Sequence, residues 1–224
     1  MSFQFPMPTS TVENYLKAAL RLEEGGQFAT VGGIAEELAV TPGTVTTMMK
    51  HLASEGLVDY APRKQVSLTE SGRAAALQVL RRHRLIETFL VEIMKLDWAH
   101  VHEEAEVLEH VISDRLVERM DEMLGRPDCD PHGSPIPDAR GVVSERGGQP
   151  LCDCRVGDHR LLRVQGERRG LLDWLQEREL VPGVVFSLEE RDDQAGVFSL
   201  QLASGRRVSF DAEVAGNLWV GPAR

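Results

Sequence analysis

The amino-acid sequence predicts a mainly α fold with a small β part, arranged as three successive domains. Apolar residues recur with a helical period through most of the first 126 positions. Beyond about residue 151 they fall in short runs that are typical of strands, with turn residues between them. We therefore predict a winged helix-turn-helix at residues 1–73, a helical domain at 74–141 and an SH3-like β-barrel at 151–224.

The first domain carries, in order, the signals of a winged helix-turn-helix. "TVENYLKAALRLEEGG" (11–26) predicts an amphipathic helix that ends at glycines. In "TVGGIAEELAVTPGTVTTMMKHLASEGLVDY" (30–60) two short helices meet at Thr41-Pro42, which supplies an N-cap and a proline in the first helical position. Two β-like runs around a basic tip follow in "LVDYAPRKQVSLTESG" (57–72). A small helical domain with a hairpin and no ligand is the alternative interpretation.

The second helix of this motif is expected to present small hydroxyl side chains and one lysine to DNA. Threonine can contact phosphates or the thymine methyl group, and lysine can hold a phosphate. The helix has no arginine for bidentate guanine contacts, so we expect modest base recognition from each subunit. Ordinary solvated polar residues are the alternative. The candidate DNA-binding residues are Thr41, Pro42, Gly43, Thr44, Thr46, Thr47 and Lys50 on the helix, and Arg63 and Lys64 at the wing tip.

The second domain is predicted to be helical from about residue 71 to 126. "SGRAAALQVLRRHRLIETFLVEIMKL" (71–96) and "AHVHEEAEVLEHVISDRLVERMDEMLG" (99–125) each carry an apolar face with a helical period. Two helices cannot bury both faces alone, so we predict a homodimer formed through this domain.

The third domain is predicted to consist mainly of strands. Its β-like runs are "HRLLRVQG" (159–166), "VVFSLEER" (184–191), "VFSLQLAS" (197–204) and "RRVSFDAEVAGNLWVG" (206–221). One short helix is predicted in "RRGLLDWLQEREL" (168–180). A small barrel of the SH3 type is the simplest arrangement of these elements.

Composition and charge restrict the class of protein. The formal net charge of −10 at pH 7 argues against indiscriminate coating of nucleic acid. Residues 1–73 are closer to neutral, with six basic and eight acidic side chains, so a sequence-specific DNA reader is compatible with the total. The sequence shows no secretory signal and no apolar run long enough to span a bilayer. Three cysteines imply no disulfide framework, and we expect a cytoplasmic protein with reduced thiols and no membrane partner.

Histidines and carboxylates are concentrated on two predicted helices. In "VHEEAEVLEHVISD" (101–114) four of them lie at spacings of four, three and one, which places them on one helical face. A histidine and a glutamate one turn apart occur in "RRHRLIETF" (81–89). Nitrogen and oxygen donors that converge from two helices can bind a divalent cation, whereas solvated surface residues are the alternative. These donors are His83, Glu87, His102, Glu106, Glu109 and His110.

The order of these motifs resembles the DtxR/MntR family of metal-dependent transcriptional repressors. The resemblance rests on the winged helix, "RRHRLIETFL", "LDWAHVHEEAEVLEHVISD", "DPHGSPIP" and an SH3-like (FeoA-like) tail, and it is most specific over residues 82–137. It implies a regulator of metal-ion homeostasis, without enzymatic activity, that binds a palindromic operator as a homodimer. A metal-dependent hydrolase, or a winged-helix regulator that senses something else, are the alternatives.

The resemblance also implies two metal sites. It assigns His83, Glu87 and His102 to the site called ancillary in iron-type members. It assigns Glu106, Glu109, His110 and Asn14 to the site whose occupancy drives DNA binding. The His83 position joins that regulatory site in manganese-type members, so its allocation stays open. Asp130 or His132 is implied as an added ligand from the "DPHG" run, with a loop-stabilising turn as the alternative, and Glu167 is a weaker candidate from the third domain.

The donor chemistry predicts manganese, with iron second. Glu106 occupies a position that is cysteine in iron-type members and glutamate in manganese-type members. A carboxylate is a harder ligand than a thiolate and favours Mn(II) or Fe(II) over softer ions. Asn14 and Lys17 depart from the manganese-type pattern. Cys152 and Cys154 have no recognised counterpart in the family, and they suggest either soft-metal binding or buried thiols.

Overall fold

The computed structural model describes residues 9–61, 65–144, 147–166, 170–192 and 194–223. They belong to two compact units, the first made of residues 1–83 with 137–142 and the second of residues 84–136 with 143–224. The three predicted domain boundaries stay predictions. In the described part of the chain, no helix combines the length and apolarity needed to cross a membrane.

The first unit contains the predicted helix-turn-helix and hairpin. Its elements are α1 (Ser10–Glu24), α2 (Val31–Glu37), α3 (Pro42–Ser54), β1 (Val58–Tyr60), β2 (Val66–Leu68) and the first part of α4 (Glu70–Glu92). The side chains of Thr9, Thr30 and Thr41 each accept a hydrogen bond from a backbone N–H three residues on, which fixes where α1, α2 and α3 begin. The predicted start of α3 is therefore confirmed, including the proline in its first turn.

The hairpin and helices of this unit surround an apolar core. β1 and β2 pair antiparallel with Val58 opposite Leu68. Fully buried leucine, isoleucine and methionine side chains from α1, α2 and α3 fill the interior. Arg63 and Lys64, predicted at the wing tip, lie outside the described residues.

The helices of the second unit are shorter than the sequence predicts. They are the remainder of α4, then α5 (Val101–Leu108) and α6 (Asp114–Met123). The single helix predicted over residues 99–125 is wrong, because Ser113 accepts a hydrogen bond from the Leu116 N–H and starts a new helix there. Ile86 and Leu90 of α4 pack with Val101 and Ala105 of α5, which sets these two helices side by side.

The rest of the second unit is an antiparallel sheet. Its strands are β3 (Gln149–Pro150), β4 (Gly157–Val164), β5 (Val185–Asp192), β6 (Val197–Leu202), β7 (Arg207–Asp211) and β8 (Leu218–Pro222), with helices α7 (Leu171–Gln176) and α8 (Ala212–Asn217). The strand order is β3-β8-β4-β5-β6-β7, so among the described residues the sheet stays open and the predicted barrel is not closed. The strand predicted over 206–221 is also interrupted, because Asp211 caps α8 by accepting from the Val214 N–H.

Candidate metal centre

His102 lies on α5 and contacts α4, and these two helices carry most of the predicted donors. Its Nδ1 lies 3.2 Å from Oε1 of Glu87 on α4, and its Nε2 lies 3.4 Å from Oε1 of Glu106 on its own helix. The Glu87 side chain is buried. One imidazole thus connects a carboxylate on each helix.

The first donor cluster consists of Glu106, Glu109 and His110. One potential ligand atom from each lies within 4.8 Å of the others. α5 ends at Leu108, yet Glu109 keeps backbone angles in the helical region, so the spacing across one turn survives the end of the helix. Glu109 is 1% exposed, and its Oε1 lies 3.3 Å from Nε2 of His110. Two carboxylates and an imidazole at this spacing match the ligands that a divalent cation takes in proteins.

The second donor cluster consists of Glu87, Asp130 and His132, whose potential ligand atoms again lie within 4.8 Å of one another. Nδ1 of His132 is 3.8 Å from Oε2 of Glu87 and 4.0 Å from Oδ1 of Asp130. Asp130 also shapes the loop, because its Oδ1 accepts hydrogen bonds from the backbone N–H groups of His132 and Ser134. The Asp130 side chain can therefore stabilise the turn and also lie in a ligand position, so the two predicted roles do not exclude each other.

Burial makes the second cluster electrostatically unfavourable without a cation. Burial and, after it, the nearby charge of Glu87 raise the pKa of Asp130 from 3.8 to about 6, although His132 and Arg84 act to lower it. Nε of Arg84 lies 3.7 Å from Oδ2 of Asp130, while Nη1 of Arg84 donates to the Pro135 carbonyl. A divalent cation at such a site would favour the ionised form of both carboxylates. The donor set is therefore suited to a metal ion.

Asn14 and His83 belong to the first unit. The Asn14 Oδ1 is shielded from solvent and has no hydrogen-bond partner among the residues that the structure describes. A buried amide oxygen without a partner is costly and suits a ligand position. His83 is buried on α4, one turn before Glu87. That either residue ligates a metal together with donors of the second unit stays a prediction.

The predicted DNA-binding residues of α3 are exposed except for the half-buried Thr46, and the threonine hydroxyl groups form hydrogen bonds within the helix or its cap. Thr41 Oγ1 lies 2.9 Å from Thr44 Oγ1 and caps the helix. Thr46 donates its hydroxyl hydrogen to the Pro42 carbonyl at 2.9 Å, and Thr47 donates to the Gly43 carbonyl at 3.1 Å. Thr46 and Thr47 therefore offer methyl groups and oxygen lone pairs to the outside.

Two groups near the second cluster were not predicted from the sequence. The sequence gives a weak indication of the Arg84 guanidinium, because Arg84 directly follows the candidate ligand His83 in the "RRHR" run. The Trp98 backbone oxygen lies 2.9 Å from Nε2 of His132 and has no sequence signal, because every residue carries a carbonyl.

The remaining sequence candidates lie apart from the two clusters or outside the described residues. Cys154 is buried and its sulfur accepts from the Gln149 amide, and burial raises the pKa of the Cys152 thiol. These features favour structural thiols over a soft-metal site. Glu167 lies outside the described residues.

A capped helix-turn-helix together with clusters of hard donor groups defines a class of DNA-binding proteins with metal centres. Residues 7–66 match the iron dependent repressor N-terminal DNA binding domain, and residues 69–138 match the metal binding and dimerisation domain of iron dependent repressors. The chain belongs to this iron-dependent repressor family, which is the DtxR/MntR family predicted from the sequence. Its members are transcriptional repressors and not enzymes, which confirms that prediction too.

Individual relatives include both iron- and manganese-dependent proteins. The iron-dependent repressor IdeR of Mycobacterium tuberculosis is 39% identical over 127 residues, which are 57% of this chain and 55% of IdeR. The diphtheria toxin repressor of Corynebacterium diphtheriae is 37% identical over 142 residues, 62% of this chain and 63% of that protein. The matched segments thus span less than two thirds of these curated relatives.

Solved structures match over a larger share of the chain. A manganese-dependent transcriptional repressor in complex with manganese is 38% identical, with 93% of this chain and 98% of that chain covered and a TM-score of 0.88. The manganese regulator SloR is 32% identical, with 96% and 99% covered and a TM-score of 0.79.

Proposed function

We propose that this protein is a Mn(II)-responsive transcriptional repressor of metal-ion homeostasis that binds a palindromic DNA operator as a homodimer. The observation that carries the proposal is the cluster of Glu106, Glu109 and His110, which brings hard donors together in a chain of this family. Two carboxylates and an imidazole suit Mn(II), with Fe(II) second, and thiolate ligands are not part of the cluster.

The second cluster is proposed as a further cation site. Glu87 and His132 supply a carboxylate and an imidazole there, and Asp130 supplies a second carboxylate. His102 contacts both Glu87 and Glu106 and is proposed as a ligand of one cluster or the other. His83 is proposed as an additional ligand from α4, with its allocation between the two sites open.

Asn14 is the proposed connection between the regulatory site and the DNA reader. Its amide oxygen has no hydrogen-bond partner among the described residues, and we propose, as the family resemblance implies, that it is a further ligand of the regulatory site and so fixes α1. A bound cation supplies positive charge that offsets the two carboxylates. A coupling free energy of about 1–3 kcal/mol between metal and DNA binding would change operator affinity by roughly 5–150-fold.

Exposed apolar side chains on α5, on α6 and in the segment between them support the proposed homodimer. Val107 and Val111 are 69% and 75% exposed, and Leu116 and Met123 are at least half exposed. An apolar surface of this kind on a helical pair is typical of a protein–protein interface. Dimerisation would place two copies of α3 about one helical turn of DNA apart, or a multiple of it, as a palindromic operator requires.

The hydrogen bonds of α3 support a specific way of reading DNA. Thr47 is exposed and donates its hydroxyl hydrogen to the Gly43 carbonyl. We propose that its methyl group contacts a thymine methyl. Lys50 is exposed and is proposed to hold a phosphate. The wing residues Arg63 and Lys64 are proposed for backbone contacts.

Replacing operator thymines by uracil tests the methyl contact. Loss of a buried methyl group costs about 0.8 kcal/mol, so we expect wild-type affinity to fall about fourfold per contacted base. Thr47→Val keeps a methyl group and should keep the preference for thymine, whereas Thr47→Ser should lose it. If Thr47→Val lost the preference and Thr47→Ser kept it, the hydroxyl would be the reader.

The metal response is tested by titrating the full chain with Mn(II), Fe(II) or Zn(II) against a labelled palindromic operator selected from random DNA. We expect Mn(II) to raise operator affinity within the range of about 5–150-fold and Fe(II) to act more weakly. Equal affinity with metal and with chelator would contradict the proposal.

A further inference from the structure

The loop that carries His132 contacts the Trp98 carbonyl on one side and the backbone of β4 on the other. We propose that the sheet acts as a clamp that sets the tautomer of His132, so that Nδ1 is the atom presented to a divalent cation. Trp98 and Gly133 are the positioning residues of this clamp. The inference rests on the proposed second cation site and names how the fold prepares it.

The hydrogen bond from the His132 ring determines which nitrogen carries the hydrogen. Nε2 lies 2.9 Å from the Trp98 carbonyl oxygen, which can only accept, so Nε2 must be the donor. In the neutral ring the lone pair is then on Nδ1, which faces Oε2 of Glu87 and Oδ1 of Asp130. The Trp98 and His132 rings also lie with centroids 5.3 Å apart, which restricts rotation of the imidazole. An outer partner on one ring nitrogen is the usual way in which a protein orients a ligating histidine.

The Trp98 carbonyl is itself positioned by the β part of the unit. Trp98 and Ala99 pack against the apolar core of the sheet. Polar contacts hold the residues on either side: Gln176 Nε2 donates to Asp97 Oδ2 at 3.2 Å, and Nε2 of His100 lies 3.1 Å from Asp173 Oδ1. The segment before α5 is therefore fixed to α7 and the sheet core.

The backbone of the His132 loop is docked on β4. The Val164 N–H donates to the His132 carbonyl at 2.9 Å. Gly133 has a φ of +86°, and a Cβ placed there would lie 2.0 Å from the Leu162 carbonyl oxygen. A side chain at this position would push the loop off the strand, because the obstacle is backbone and cannot rotate away.

These contacts predict that the sheet prepares the second cluster before any cation binds. His132 is held between the carbonyl of Trp98 on one side and the backbone of β4 on the other. A ligand that is already oriented loses less rotational freedom when it binds. Loosening the loop should therefore weaken the second cluster and leave the first cluster intact.

The test compares Gly133→Ala with Gly125→Ala in the full chain. Gly125 also has a positive φ, +75°, but its Cβ would meet no atom of the described residues within 4 Å, so this variant controls for backbone strain alone. Mn(II) binding is followed by the electron paramagnetic resonance of the free ion. We expect Gly133→Ala to weaken one class of Mn(II) sites by about 10–100-fold, as loss of an outer-sphere partner does, and Gly125→Ala to match wild type. Equal Mn(II) binding by both variants would overturn the clamp.

A second measurement reads the tautomer directly and needs no metal. Nitrogen-15 NMR of labelled histidine, assigned with a His132→Gln variant, is recorded without metal at about pH 8. We expect hydrogen on Nε2 of His132 in wild type and in Gly125→Ala, and a mixture of tautomers in Gly133→Ala. Hydrogen on Nδ1 in wild type would overturn the clamp even if Gly133→Ala did not fold.

The two readouts separate failure of the clamp from failure of the proposed site. A fixed tautomer in wild type that is lost in Gly133→Ala supports the clamp, and equal Mn(II) binding by the two variants counts against it only where wild type has two classes of Mn(II) sites. If that result came with a single class of Mn(II) sites in wild type, only the second cation site would be contradicted.

Discussion

The two donor clusters of the second unit differ in how their members are distributed along the chain. Glu106, Glu109 and His110 lie within five consecutive positions at the end of one helix. Glu87 and His132 are 45 positions apart and meet only because the loop after α6 returns to α4. The first cluster therefore depends on local backbone geometry, and the second depends on the packing of the whole unit.

The two clusters should therefore tolerate different kinds of substitution. A cluster set by helical spacing keeps its geometry as long as that one turn forms. A cluster assembled from remote segments is sensitive to changes far from its ligands, since each segment needs its own support.

Removing a ligand of the local cluster should abolish the metal response. We expect His110→Ala to lose the whole Mn(II)-dependent gain in operator affinity, a change of up to roughly 150-fold. Fluorescence anisotropy of labelled operator with and without Mn(II) measures it. Glu104→Ala removes an exposed carboxylate from the same helix and should respond as wild type. A full metal response in His110→Ala would show that the local cluster is not the regulatory site.

Removing one charge from the remote cluster should have a smaller, selective effect. Asp130→Asn keeps an oxygen that accepts from the His132 and Ser134 N–H groups, so the turn should persist. We expect Mn(II) affinity at the second site to fall about 10–100-fold while the local cluster binds as before. Mn(II) titration by calorimetry checks this, and equal weakening of both classes of site would remove the distinction between the clusters.

The same substitution should change the pH dependence of stability in the absence of metal. The pKa of Asp130 is raised from 3.8 to about 6 in the folded protein, mainly by burial, so the folded state holds this proton more tightly than the unfolded state. The Asp130 contribution to stability is therefore present below about pH 4 and lost as pH rises through about 6. We expect Asp130→Asn to raise the Tm relative to wild type at pH 7 and to lose that advantage near pH 4. Thermal unfolding in chelator at both pH values measures the difference, and a pH-independent difference would contradict it.

Local signals in the sequence were sufficient for the start of α3 and for the donors of the first cluster. Thr41-Pro42 is a capping pair whose effect does not depend on distant residues. The break after Leu108 was missed because the apolar period continues through it, although Ser113-Asp114 carries a capping signal. The closed barrel was wrong for a different reason: strand pairing is decided by long-range contacts, and the Asp211 cap that starts α8 lies inside a run that reads as a strand.

The second cluster could not be derived from spacing. Asp130 and His132 were predicted as ligands only because the sequence resembles the family. Arg84 and the Trp98 carbonyl were not predicted at all. A backbone carbonyl is present at every position, so its role depends entirely on where folding places it. Sequence patterns therefore predict ligands that share a helix better than the supports that orient a remote ligand.

The two donor clusters share one potential ligand, the imidazole of His102. Its nitrogens face Glu87 on one side and Glu106 on the other. A neutral ring has one lone pair and one N–H, so it can act as a ligand toward one side only while donating a hydrogen bond to the carboxylate on the opposite side. Whichever cluster takes the lone pair thereby leaves a proton facing its neighbour, and a change of side requires that proton to move across the ring.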